Sequence, residues 1–190
     1  MVLVKLFEWF CSFWAWLKGW KILGGVPKDL KKGVIIVVPH TSNWDFIYGM
    51  ATKFHFKLEA TYFAKKELFK WPLKTVLQKT GALPVDRSSS KDMVGQAVDA
   101  IKKAGQMYVV IAPEGTRSHT EKWKTGFYHI ALQANIPIML AYIDYAKKET
   151  AIDEVYYPTG DKEKDFAYFK EYYSKITGRN PEYHNKEKLL

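Results

Sequence analysis

Five consecutive β-branched residues, Val34-Ile35-Ile36-Val37-Val38, constrain the fold of this chain more than any other feature. The run is short and apolar at every position, so it reads as a strand covered on both faces rather than one alternating between core and water. Strands of that kind belong to sheets sandwiched by helices. Further short apolar runs lie at residues 60–64, 82–85, 107–112 and 138–145, and another at 152–157. Helical segments separate them at 44–54, 65–80, 91–104, 125–135 and 161–177, the second broken near Trp71-Pro72 because proline cannot continue the helix. Strands alternating with helices give an α/β class: a single domain with a central mostly parallel or mixed sheet flanked by helices. The 190 residues suit one core, and no repeat or linker divides them. The chain divides into an N-terminal helix at 1–25, a main domain at 26–180 and a polar tail at 181–190, which is expected to fray.

The first segment is unusual. Leu3, Phe7, Phe10, Trp14 and Leu17 share one helix face, and Leu6, Trp9, Phe13, Trp16 and Trp20 form a second apolar row beside it. Lys5, Glu8, Ser12, Lys18 and Lys21 are left for the polar side. The uncharged stretch from Trp9 to Leu17 is far short of the ~20 residues that a bilayer span needs. Glu8, the abundant tryptophan and the lack of a small-x-small site also fit a cleaved signal poorly. Two readings stay open: an amphipathic helix lying in a membrane interface, where tryptophan is favoured, and a helix packed on the protein's own core.

A formal charge of +9 points to a polyanionic partner, whether anionic lipid, phosphorylated substrate or nucleic acid, although paired lysines such as Lys102-Lys103 are also ordinary solvated surface. No nucleic-acid motif is recognisable, so no nucleic acid is expected. Cys11 is the single cysteine, which excludes intramolecular disulfides and cysteine-rich zinc sites and suits a reducing, cytosol-facing location. No clustered metal-ligand spacing appears, so no metal is expected.

Polar, reactive residues directly follow buried strands in two places, where ligand sites of open α/β sheets favour the carboxyl ends of strands. After the first run comes Pro39-His40-Thr41-Ser42-Asn43-Trp44-Asp45. A tight turn would let Asp45 reach back to one imidazole nitrogen of His40, fixing its tautomer and leaving the other nitrogen as a general base. The plainer reading makes Asp45 or Ser42 a helix cap and His40 a satisfied loop residue. After residues 107–112 comes Pro113-Glu114-Gly115-Thr116-Arg117-Ser118, in which Gly115 permits a positive φ, Thr116 and Ser118 are donors, and Arg117 can grip a phosphate with two parallel bonds. The plainer reading is a glycine turn with a surface arginine. A third piece, Gly81 to Arg87, brings a second arginine to another strand end.

Taken in order, these pieces resemble the glycerophospholipid acyltransferase family, which includes the 1-acylglycerol-3-phosphate acyltransferases. His40 to Asp45 is similar to its His-x4-Asp block, Gly81 to Arg87 to its second block, Pro113 to Ser118 to its third, and Ile136-Pro137-Ile138 to its fourth. The resemblance implies that His40, oriented by Asp45, takes the proton of an acceptor hydroxyl as its oxygen attacks the thioester of acyl-CoA or acyl-carrier protein. It implies that Arg87 and Arg117 hold the acceptor's phosphate, with Glu114, Gly115, Thr116 and Ser118 shaping the pocket and Lys65 and Lys66 in reserve. The implied acceptor is a lysophospholipid, 1-acylglycerol-3-phosphate foremost, with a lyso-aminolipid or glycerol 3-phosphate as alternatives. No cofactor beyond the acyl donor is called for. The expected place is the cytoplasmic face of an anionic membrane, peripheral or monotopic. A non-catalytic membrane-binding module is the reading from another class.

Overall fold

The Val34–Val38 run lies at the middle of a seven-stranded mixed sheet, its two sides packed under separate layers of helices. The computed structural model describes residues 2–71, 73–85, 93–185 and 189–190. In chain order the elements are α1 (Val2–Leu17), β1 (Lys21–Gly24), β2 (Lys32–Val38), α2 (Trp44–His55), β3 (Ala60–Lys65), α3 (Leu73–Lys79), β4 (Ala82–Val85), α4 (Met93–Lys103), β5 (Met107–Ile111), α5 (Gly126–Ala134), β6 (Ile138–Asp144), β7 (Glu149–Tyr156) and α6 (Lys162–Ser174). The sheet order is β1-β7-β6-β2-β5-β3-β4, and every neighbouring pair is parallel except the β6–β7 hairpin.

Alternation along β2 explains the two layers. Val34, Ile36 and Val38 enter a core with α4, α5 and α6, among them Ile101, Phe127, Ile130, Phe169 and Tyr173. Ile35 enters the opposite core with Ala60, Tyr108, Met139 and Ala141, and Val37 packs toward α1 and α2. Burying each such side chain contributes about 1.5–3 kcal/mol, an upper range because the unfolded chain already hides some surface. Since β5, β2 and β6 run parallel, the residues that follow them emerge along one edge of the sheet.

The N-terminal helix packs on the protein's own core along one face and exposes much of the rest. Its packed face is narrow: Cys11 and Ala15 are buried, and Phe7 and Trp14 stack on Phe46 and Trp44 of α2. Burial pushes the Cys11 thiol up to about 12, leaving it a protonated packing residue. Leu3, Leu6, Trp9, Phe10, Phe13, Trp16 and Leu17 are exposed, so both apolar rows contribute to an outer surface. The helix is shorter than the periodicity suggests. Gly19 at φ +72° ends it, with the Trp20 N–H donating to the Ala15 carbonyl and the Gly19 N–H to that of Trp16. Trp20 and Lys21 therefore leave the helical rows, and Lys21 begins an edge strand. Among the described residues, no helix is long and apolar enough to cross a membrane.

The tail also differs from expectation. Pro181–Tyr183 form a 3-10 turn, Leu189 is buried in the core, and its carbonyl accepts the Trp123 N–H. With a core to join and a backbone partner, Leu189 has little reason to fray.

Candidate functional site

His40 stands two residues beyond β2, and Asp45 lies in the first turn of α2. The chain closes between them as the spacing suggests, with His40 Nδ1 3.2 Å from Asp45 Oδ2. The same carboxylate oxygen accepts the Ser42 N–H at 2.8 Å, while Ser42 Oγ accepts the Trp44 N–H at 3.2 Å. This reciprocal Ser-x-x-Asp pattern resembles a capping box at the head of α2, with Ser42 Oγ taking the Trp44 N–H in place of that of Asp45 and the N-cap residue Asn43 making no side-chain cap bond. The capping and dyad readings are thus one geometry: the bonds that start the helix also hold the carboxylate against the imidazole. Asp45 is 2% exposed, and its other oxygen accepts the Tyr145 hydroxyl at 2.6 Å. Burial, followed by the bond to Asp45, holds the Tyr145 phenol well above its usual range, so it remains a donor. With Nδ1 engaged by Asp45, Nε2 is the imidazole nitrogen left to work as a base.

The second loop meets the first through Glu114. This side chain is buried, and its Oε2 accepts the His40 backbone N–H at 2.7 Å. Burial pushes its carboxyl up to about 8, against the pull of that N–H, with the Asp45 charge adding to the rise. Glu114 Oε1 is buried with no hydrogen-bond partner among the described residues. Glu114 therefore latches the strand exit after β5 to the strand exit after β2. Gly115 adopts φ +67°, and a Cβ there would come 2.8 Å from Lys124 Cε. The turn is pinned from below as the Lys124 N–H donates to the Pro113 carbonyl at 2.7 Å.

Thr116 is half-buried and accepts the Ser118 N–H; Arg117 and Ser118 are exposed. No acidic partner lies within ion-pair distance of Arg117 among the described residues. Lys65 is exposed at the end of β3, the strand beside β5, and Lys66 opens the following 3-10 turn. Arg87 lies outside the described residues; β4, which precedes it, pairs with β3 at Lys65↔Val85. His40, Asp45, Glu114 and Gly115 come together, while Thr116, Arg117, Ser118 and Lys65 extend along the same edge.

Three contributors carry no sequence signal of their own. Tyr145 follows β6 and lies a hundred positions from Asp45. Lys124 crosses the Gly115 turn. The segment 177–180 straps the His40 loop: the Asn180 N–H and Nδ2 donate to Thr41 Oγ1 and Thr41 O, and Tyr145 N–H donates to Thr177 O. Gly178 lets this strap approach, since a Cβ there would meet Thr41 Oγ1 at 2.8 Å and Pro39 Cγ at 3.0 Å. Only the helical pattern ending near 177 hinted that chain remained to cover the loop.

The chain is similar to known proteins in family and in fold. The family model described as Acyltransferase matches residues 24–143, which include both strand-exit loops. Among solved structures the fold is similar to the crystal structure of PlsC, the 1-acyl-sn-glycerophosphate (LPA) acyltransferase from Thermotoga maritima. The TM-score is 0.64 at 20% identity, over 89% of this chain and 76% of that one. No curated protein sequence matches the chain.

Proposed function

This chain belongs to the Acyltransferase family, and we propose that it transfers a fatty acyl group from a thioester donor to the free hydroxyl of a lysophospholipid, with His40 as general base. The observation that carries the reading is the His40 Nδ1–Asp45 contact beside the Glu114–Arg117 turn, at adjoining exits of parallel strands. Nε2 takes the acceptor's hydroxyl proton as that oxygen attacks the thioester carbonyl. Asp45 stabilises the imidazolium that forms, and Tyr145 and the Ser42 N–H keep the carboxylate in place. Collapse of the tetrahedral adduct expels the thiolate, which recovers the proton from His40. Backbone N–H groups of the turn stabilise the oxyanion. The protein itself is never acylated in this scheme, and no cofactor enters it.

Arg117, with no acidic partner within ion-pair distance among the described residues, would hold the acceptor's phosphate, with Arg87, Lys65, Thr116 and Ser118 as further contacts. A phosphate-bearing acceptor fits this cation best, so 1-acylglycerol-3-phosphate, the acceptor in the name of the Thermotoga maritima protein, is the favoured substrate and phosphatidate the product. The donor is acyl-CoA or acyl-carrier protein. The exposed aromatic face of α1 would lie in the headgroup region of an anionic, cytosol-facing leaflet, giving a lipid acceptor a path to His40. The test offers the purified protein each donor with lysophosphatidate in liposomes and follows thiol release and diacyl product. Product with lysophosphatidate supports the reading. Thiol release without diacyl product would replace lysophosphatidate with another acceptor, and silence from a folded protein with every acceptor would contradict acyl transfer.

A further inference from the structure

Arg117 occupies the turn after β5, on one flank of β2; the other flank, after β6, carries a second group of cations. Here a pocket of about 230 Å³ is lined by Lys18, Trp20, Tyr48, Tyr145, Lys148 and Arg179. Four separate pieces of the chain build it: the end of α1, α2, the β6–β7 turn and the 177–180 strap. Its wall is aromatic, with Trp20 stacked on Tyr48 at 3.7 Å between ring centroids and edge-on to Tyr145 at 4.9 Å. Arg179 is held 5.7 Å from the Trp44 ring centroid, and Lys18 Nζ 4.9 Å from that of Trp14. Both cations thus rest on aromatic faces rather than on carboxylates.

Among the described residues, none of Lys18, Lys148 and Arg179 has an acidic group within ion-pair distance. Three cations around one concavity repel one another, and an anion in their midst reverses the sign of that term. Scattered surface lysines need no such explanation. These differ because an anchored guanidinium and a stacked aromatic wall face the same space. The wall also touches the chemistry: the Tyr145 hydroxyl that donates to Asp45 belongs to a residue lining the pocket, one hydrogen bond from the dyad.

We propose that this pocket is a second anion site, separate from the Arg117 turn, which holds a phosphate group of a phosphoester ligand beside the His40–Asp45 pair. Two ligands carry that chemistry: an anionic phospholipid headgroup at the surface α1 meets, and the phosphate on the carrier arm of the thioester donor. The choice of these two rests on the acyl-transfer reading; the anion site itself rests on the pocket. A lipid source fits the position of Lys18 one residue beyond the exposed Leu17, and a donor source fits the need of the reaction for a second, phosphate-bearing substrate.

The test measures binding without turnover. CoA is titrated into the full chain by calorimetry, and binding to phosphatidylcholine vesicles is measured with and without phosphatidylglycerol. The variants are Lys148→Ala, Arg179→Ala and the pair, each checked for an unchanged Tm. The double variant should lose at least tenfold in affinity for CoA, which assigns the site to the donor, or for the phosphatidylglycerol vesicles alone, which assigns it to the leaflet. Lys148→Ala, in an exposed turn, should show part of the same loss even if Arg179→Ala disturbs the strap. Equal binding of both probes by wild type and double variant, or binding of neither probe by wild type, would overturn the proposal. So would an equal loss in Arg117→Ala, because the two sites would then be one. A wild type that binds a probe yet transfers no acyl group would sink the reaction and leave the pocket standing.

Discussion

Two buried aspartates, Asp45 and Asp165, are built almost alike and occupy different parts of the molecule. Asp45 gathers the Ser42 N–H, the Tyr145 hydroxyl and His40 Nδ1 at the head of α2. Asp165, 0% exposed in the first turn of α6, gathers the Thr159 N–H and hydroxyl and the hydroxyls of Tyr128 and Tyr156. Each uses a carboxylate to tie a helix start to distant chain. Only Asp45 includes a titratable base, and only Asp45 stands at the carboxyl edge of the parallel strands. Asp165 fastens α6 to α5 and β7 within the core. The same device makes a staple in one place and, with one imidazole added, the acidic half of the catalytic pair we propose in the other.

The comparison breaks first under Asp→Asn exchange. Asp45→Asn should lower kcat by about 10²–10⁴-fold, because the amide no longer supports an imidazolium. Asp165→Asn should leave kcat per folded molecule unchanged while costing about 2 kcal/mol of stability in denaturant titration, the scale of hydrogen bonds to a buried charge. Equal kinetic effects from both would erase the distinction.

Tyr145→Phe comes next. It removes one bond to Asp45 and should lower kcat about tenfold or less, with KM for the acceptor unchanged. A rise in KM instead would make Tyr145 a substrate contact rather than a positioning residue.

The pH dependence of stability sharpens the contrast further. Burial alone would raise the Asp165 pKa, but the bonds from Thr159, Tyr156 and Tyr128 carry the balance below the usual range. Its contribution is present above the unfolded-state value of about 3.9 and is lost as pH falls through the lower folded value. Glu114 behaves oppositely: burial lifts its folded pKa to about 8, above the ordinary carboxyl value of 4.5, so the folded state holds the extra proton between them. Stability falls as pH rises through that window, by at most about 1.4 kcal/mol per unit. Glu114→Gln keeps an oxygen for the His40 N–H and should flatten the fall; an unchanged slope between pH 5 and 8 would show that Glu114 does not titrate there.

The smallest expected effect is on α1. Replacing Trp9, Phe13 and Trp16 with serine should weaken binding to vesicles without shifting Tm, because these side chains face outward. A fall in Tm would place them against protein.

Much of this was legible in the sequence. β2 was plain because every position is apolar, and His40–Asp45 because the pair is local and begins a helix. β1 was hidden because Lys21–Gly24 is short, mostly exposed and at the sheet edge, where burial leaves no pattern. The packed face of α1 was hidden because both of its faces are apolar; small Cys11 and Ala15, rather than the large aromatics, mark the close approach to α2. Tyr145, Lys124 and the 177–180 strap reach the site through the return of the chain, which no local spacing encodes.

The most direct measurement is acyl transfer by His40→Ala beside wild type, each folded, with the preferred donor and acceptor at saturation. Loss of at least a hundredfold in kcat at an unchanged Tm is the predicted result. Transfer at the wild-type rate would contradict His40 as the general base and leave the Asp45 cluster, like that of Asp165, a structural staple.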